Sequence, residues 1–141
     1  MTPAELKTLI ESDATSSALL AAGNDNDCAA RLVVIAPLVQ QLVANVDIKR
    51  QAILSGYWAG ITIATEAANT NAAVRGLAIS VGAWVNDTTA TTDFALPQVQ
   101  AMLDGLVAST LITADQRAEL TALSMVPQVI TSNDVSAVRA I

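Results

Sequence analysis

Apolar positions recur along this chain at spacings of three and four, the period of helices that bury one face. Leu6, Leu9 and Ile10 make the first such stripe, with Glu5, Lys7, Thr8 and Glu11 on its other side. Ahead of it stands Thr2-Pro3-Ala4-Glu5: a hydroxyl cap, a proline at the first helical position and a glutamate three residues after the cap. In such a capping box the hydroxyl and the carboxylate each satisfy a backbone N–H that the helix leaves free. A short second helix is predicted over Ser16–Ala22, stopped at Gly23, and a third from the caps in Asn24–Asp27 to about Val34. These three define an N-terminal helical subdomain, residues 1–35.

Pro37 interrupts the next apolar run. Residues 36–46 read as a connector, although Leu38, Val39, Leu42 and Val43 make it too apolar for a solvated linker. Residues 47–141 are expected to form a C-terminal helical bundle. Asp47 caps a helix to about Leu54, Ser55–Gly56 breaks or kinks it, and helical pattern resumes over Tyr57–Ala68 and Asn71–Asn86. Asp87–Asp93, with the sequence DTTATTD, reads as an exposed loop. From Leu96 to about Thr110, Leu96, Val99, Met102, Leu103, Leu106 and Val107 share one face. Thr113-Ala114-Asp115-Gln116 is a second capping box and opens a helix to about Ser124. Ser132-Asn133-Asp134 caps a last short helix carrying Val135, Val138 and Ile141. No segment sustains the alternation of a half-buried strand. The predicted class is all-α: a small helical bundle with a short N-terminal helical subdomain.

Composition narrows the chemistry. Of 141 residues 52% are hydrophobic, 14% charged and 3% aromatic, and histidine is absent. Histidine supplies most general bases and many metal ligands, so catalysis would have to rely on carboxylates and the single thiol, Cys28. The mean hydropathy of +0.47 raises the question of a membrane. The uncharged runs Leu32–Val46 and Gln51–Thr65 are too short and too polar for the roughly 18–20 apolar residues of a spanning helix. The charged opening, with Glu5, Lys7 and Glu11, does not read as a secretory signal, and one cysteine makes no disulfide framework. A protein made in the cytoplasm is expected. The net charge of −6 and the scattered cations argue against nucleic acid, whose binding draws on Lys and Arg neutralising phosphates.

The most specific pattern is a seam of small residues. Gly56, Gly60, Ala64 and Ala68 recur every four positions, and Ala72, Gly76 and Ser80 repeat the device on the next helix. Such seams let helix axes approach closely. The two helices either pack on each other inside one chain or offer a seam to another subunit. Asp25-Asn26-Asp27 resembles the start of a calcium loop, but Ala30 and Ala36 stand where its glycine and bidentate glutamate belong, so capping is expected. Cys28 is expected to be a buried small hydrophobe. Glu66, set among apolar residues, is the one acid placed for a raised pKa and a general-acid role. No phosphate-binding loop, dinucleotide fingerprint, nucleophile elbow or zinc-ligand pair is present, so no cofactor, metal or small-molecule substrate is expected.

The opening TPAELKTLIESDATSSALLAAGND, the stretch LPQVQAMLDGLVASTLITADQRAELTALS and the closing DVSAVRA resemble a group of small, alanine-rich, helical proteins of tailed bacteriophages. The resemblance covers about half of the chain, in Glu5–Arg31 and Val99–Gln116 above all, and carries no functional residues with it. It implies a non-enzymatic virion structural protein of the neck, tail or head surface. Such a protein, made in the host cytoplasm, binds neighbouring virion proteins and copies of itself through helical faces. The alternatives are a phage assembly factor or chaperone absent from the finished particle, and a small lytic or host-modifying enzyme using Glu66.

Overall fold

The computed structural model describes all residues, 1–141. The chain is mostly helical, with 63% of residues in nine helices and 6% in short strands. It divides into two compact units: Met1–Val39 with Val126–Ile141, and Gln40–Met125. That division differs from the expected 1–35, 36–46 and 47–141. The C-terminal helix folds with the N-terminal helices, and the supposed connector supplies a buried residue, Val43, and the start of a helix.

The first unit contains α1 (Pro3–Ser12), α2 (Ala14–Ala21), α3 (Asp25–Ile35) and α9 (Ser132–Val138). The Thr2–Glu5 capping box forms, with Thr2 N donating to Glu5 Oε2 at 2.6 Å and Glu5 N to Thr2 Oγ1 at 3.3 Å. Gly23, at φ +73°, ends α2, and the N–H groups of Gly23 and Asn24 close on the carbonyls of Leu20 and Leu19. This is the left-handed stop that glycine adopts without a Cβ penalty. The cap of α9 is Thr131 rather than Ser132, paired with Asp134 in a further capping box. The buried stripe Leu6–Ile10 of α1 meets Cys28, Ala29 and Leu32 of α3 and Val135 and Val138 of α9. Ile141, expected on the same stripe, is exposed.

One carboxylate ties three of these helices. Asp13 caps α2, accepting from Ser16 N at 2.9 Å and Ser16 Oγ at 2.7 Å, and also receives Arg31 Nε and Nη2 from α3 at 3.2 and 3.0 Å. The Arg31 hydrogen bonds first, then those from Ser16, hold its pKa well below the usual carboxylate range.

The second unit contains α4 (Asn45–Leu54), α5 (Trp58–Ala64), α6 (Ala72–Asn86), α7 (Pro97–Ala108) and α8 (Ala114–Ala122). Helix α6 is central and packs against α4, α5 and α7. Its Ala78, Val81 and Val85 meet Ile48, Ala52, Ile61, Phe94, Leu103, Leu106 and Leu120 in one apolar cluster. Gly56, at φ +81°, breaks the chain between α4 and α5. Helix α5 ends at Ala64, earlier than expected, because side chains take over its terminal carbonyls. Asn69 Nδ2 donates to Ala64 O at 2.8 Å and Arg75 Nε to Thr65 O at 3.0 Å. Leu96, expected on the buried face of α7, is its exposed N-cap.

Four two-residue strands complete the topology. β1 (Val39–Gln40) pairs with β4 (Met125–Val126), and β2 (Val43–Ala44) runs antiparallel to β3 (Thr91–Thr92), with Val43 opposite Thr92 and Ala44 opposite Thr91. The DTTATTD segment is therefore not simply an exposed loop, since Thr92 is buried. The reason is a polar network around Asn45, itself only 1% exposed. Its Nδ2 donates to the carbonyls of Trp84 at 2.9 Å and Asp87 at 3.0 Å, and its Oδ1 accepts from Thr92 Oγ1 at 2.6 Å. Trp84 Nε1 donates to Thr92 Oγ1 at 2.7 Å, and Asn45 N to Ala90 O at 3.0 Å. Every donor of that amide is satisfied, which is what makes its burial tolerable.

Asn45→Ala strands the Thr92 hydroxyl and two carbonyls in the interior and should lower stability by about 2–4 kcal/mol in denaturant melts. A double-mutant cycle with Thr92→Val should show strong coupling between the two sites. The Asp13 pKa is lowered on folding, so its stabilising contribution is complete above the unfolded carboxylate pKa of about 4 and fades as pH falls below it. Asp13→Asn should flatten the loss of thermal stability between neutral pH and pH 3 relative to wild type.

Candidate protein-interaction surface

Helix α4 is apolar on two sides. Asn45, Ile48 and Ala52, at spacings of three and four, face the interior. Val46, Arg50, Ile53 and Leu54 recur at the same period on the other side, where Leu54 is 76% and Ile53 55% exposed. Leu42, just before β2, is also exposed. Arg50 and Leu54 form a ridge between two depressions: one of about 460 Å³ reaching Leu42, Asp47 and Thr91, the other of about 280 Å³ lined by Val46, Lys49 and Ile53. Single exposed apolar residues are ordinary, but a contiguous group on one regular element is characteristic of contact surfaces.

The cations beside this ridge are held in place. Arg50 Nη1 lies 2.7 Å from Asp47 Oδ1 one turn earlier. Lys49 Nζ donates to Asn86 Oδ1 at 2.8 Å and sits 5.4 Å from the centroid of the Trp58 ring. Both pairs are exposed and add little to stability. They set positive charge beside apolar side chains on a protein whose net charge is −6, and Lys49 and Arg50 are two of the four basic residues of the second unit. The first unit carries a further apolar depression of about 520 Å³, bordered by Thr8, Leu9, Pro37 and Val39.

The small-residue seams do not join α5 to α6. Gly56 lies outside both helices and Ala68 in the turn after α5, so the four-residue register is broken at both ends. Gly60, Ala72, Gly76 and Ser80 are exposed, and of the seven only Ala64 is buried. A Cβ added at Gly60 or Gly76 would meet nothing within 4 Å. The two helices do pack on each other, through larger residues including Ile61 and Val81. Close approach occurs instead at Gly105 of α7, where a Cβ would come within 3.2 Å of Leu77 Cδ2. The sequence signal for this intrachain approach is the lone glycine in the amphipathic pattern of 96–110.

The candidate chemical residues are dispersed. Glu66 is exposed in the turn after α5, outside the apolar helix that was to desolvate it. Cys28 is fully buried, its Sγ donating weakly to Ser16 O at 3.5 Å, and burial first, then the charge of Asp25, pushes the thiol up. Asn24 caps α3, donating to Asp27 as well, while Asp25 pairs with Arg139. No three Cys, Asp or Glu side chains converge as around a metal ion. Tyr57 is buried with its hydroxyl unpartnered, and desolvation, then the charge of Glu119, raises its pKa. No helix is long and apolar enough to cross a membrane.

Because Gly60 and Gly76 are exposed helix positions with open space around them, Gly60→Ala and Gly76→Ala should each raise stability by about 0.5–1 kcal/mol in denaturant melts. Gly105→Ala, which must displace Leu77, should gain less than either.

No protein-family model, curated protein or solved structure matches this chain.

Proposed function

We propose that this chain is a non-enzymatic structural protein of a tailed-bacteriophage virion, a component of the neck, tail or head surface. It acts by binding neighbouring virion proteins and copies of itself through helical faces. On this reading each unit is a small helical bundle that serves as a scaffold for contact surfaces. The observation that carries the proposal is the outer side of α4, where Val46, Ile53 and Leu54 stand in helical register, with Leu42 beside them, and none is buried by its own chain. A partner with apolar residues and a carboxylate-bearing rim would cover these side chains and meet Lys49 and Arg50. The sequence resemblance to virion proteins supports the same reading, as does a chain rich in apolar residues and poor in charge.

Mass spectrometry of purified particles should find this protein as a constant component, and its absence would favour the assembly-factor reading instead. Leu54→Glu changes an exposed position and should alter stability by no more than about 0.5 kcal/mol. It should nevertheless sharply reduce incorporation into particles. Full incorporation of a folded Leu54→Glu protein would show that α4 is not the contact.

A further inference from the structure

The first unit is assembled from both ends of the chain, and its core is incomplete without the C-terminal one. Helices α1 and α3 present Leu6, Ile10, Cys28 and Leu32, and α9 closes over them with Val135 and Val138. Without α9 these side chains would form an apolar patch open to water. The contacts themselves do not require α9 to belong to the same copy. Arg139 makes a two-pronged pair with Asp25, with Nη1–Oδ2 at 2.9 Å, and its Nη2 also donates to Leu20 O at 2.9 Å. Lys7 Nζ donates to Ile141 O at 3.2 Å. Each of these partners travels either with the arm or with the body that receives it.

The connection to the arm suits exchange. Residues 127–130 form neither helix nor strand, Pro127 stands at their start, and Val129 is 90% exposed. The Gln128 side chain tethers the stretch to Pro37 O at 3.0 Å, but re-aiming it breaks no helix and no strand pairing. A short element on such a hinge, whose docking face is repeated on every other copy, is the usual material of domain exchange.

We infer that Ile130–Ile141 is an exchangeable arm: it seats α9 on the α1–α3 face of a second copy of this chain, repeating there the contacts it makes at home. High local concentration, as in an assembling particle, favours the exchanged form because the contacts are the same and only association entropy opposes it. The α4 surface takes no part in this linkage, so either surface can fail without the other.

Charge reversal at the Arg139–Asp25 pair tests the exchange. Asp25→Arg and Arg139→Asp each set like charges between a body and its own arm. A dimer made of one copy of each, with arms exchanged, has opposite charges at both seats. Equal amounts co-refolded from denaturant and examined by native mass spectrometry should give a heterodimer enriched several-fold over random pairing, more heat-resistant than either variant alone. Monomers only, or dimers in random proportion, would overturn the inference. Should neither variant fold, alone or mixed, wild-type protein decides. Heavy- and light-isotope chains co-refolded at high concentration should yield mixed dimers, and these should persist in the Leu54→Glu background. A wild type that is monomeric at every concentration, or dimers lost with Leu54→Glu, would overturn it equally.

Discussion

The second unit depends on burying one amide. Asn45 lies in the interior, and no apolar contact can compensate an unpaired amide there, so its partners must be in place together. Those partners come from the end of α6 (the carbonyls of Trp84 and Asp87) and from β3 (Thr92). Satisfying one side chain therefore joins the start of α4, the end of α6 and the β2–β3 pair. It also fixes the rotation of α4 about its own axis. With Asn45, Ile48 and Ala52 turned in, the helical period leaves Val46, Arg50, Ile53 and Leu54 turned out. The exposed apolar ridge is thus a consequence of the core, held by the same helix that the core requires.

Much of the local structure was legible because its causes are local. The boxes at Thr2 and Thr113 and the breaks at Gly23 and Gly56 depend on residues within one turn, and each forms where expected. The errors have a common physical origin. Recurrence every four residues marks one face of a helix but does not say whether that face points in or out, and the face of α6 with Ala72, Gly76 and Ser80 points out, which counts against the intrachain reading of the seam and leaves the one between subunits. Helix α5 stops at Ala64 because Asn69 and Arg75 reach its last carbonyls from outside the helix. Thr92 is buried by a residue 47 positions away, and α9 finds its place against helices at the other end of the chain. Such long-range choices leave no periodic trace. The outer stripe of α4 did leave one, in the spacing of Val46, Ile53 and Leu54, but Asp47, Lys49, Arg50 and Gln51 interrupt it and spacing alone does not say which of the two stripes is buried.

On the proposed reading the protein works through its surfaces. Several of its carboxylates serve caps and ion pairs, as with Asp13, Asp25 and Asp134. Its thiol is sealed in the core of the first unit. The outer side of α4 is accessible apolar surface on a helix held firmly from behind. A rigid helical face of this kind can be covered without the entropy loss of ordering a loop, which favours repeated, geometrically uniform contacts.

The central claim is that the outer side of α4 is covered when the protein reaches its place of work. Hydroxyl-radical footprinting of the free protein and of purified particles reads this directly, because Ile53 and Leu54 are oxidised in proportion to their exposure. The account predicts strong labelling of both residues in the free protein and marked protection in the particle, with the buried Ile48 and Leu103 unlabelled in both. Equal labelling of Ile53 and Leu54 in the two states would contradict it.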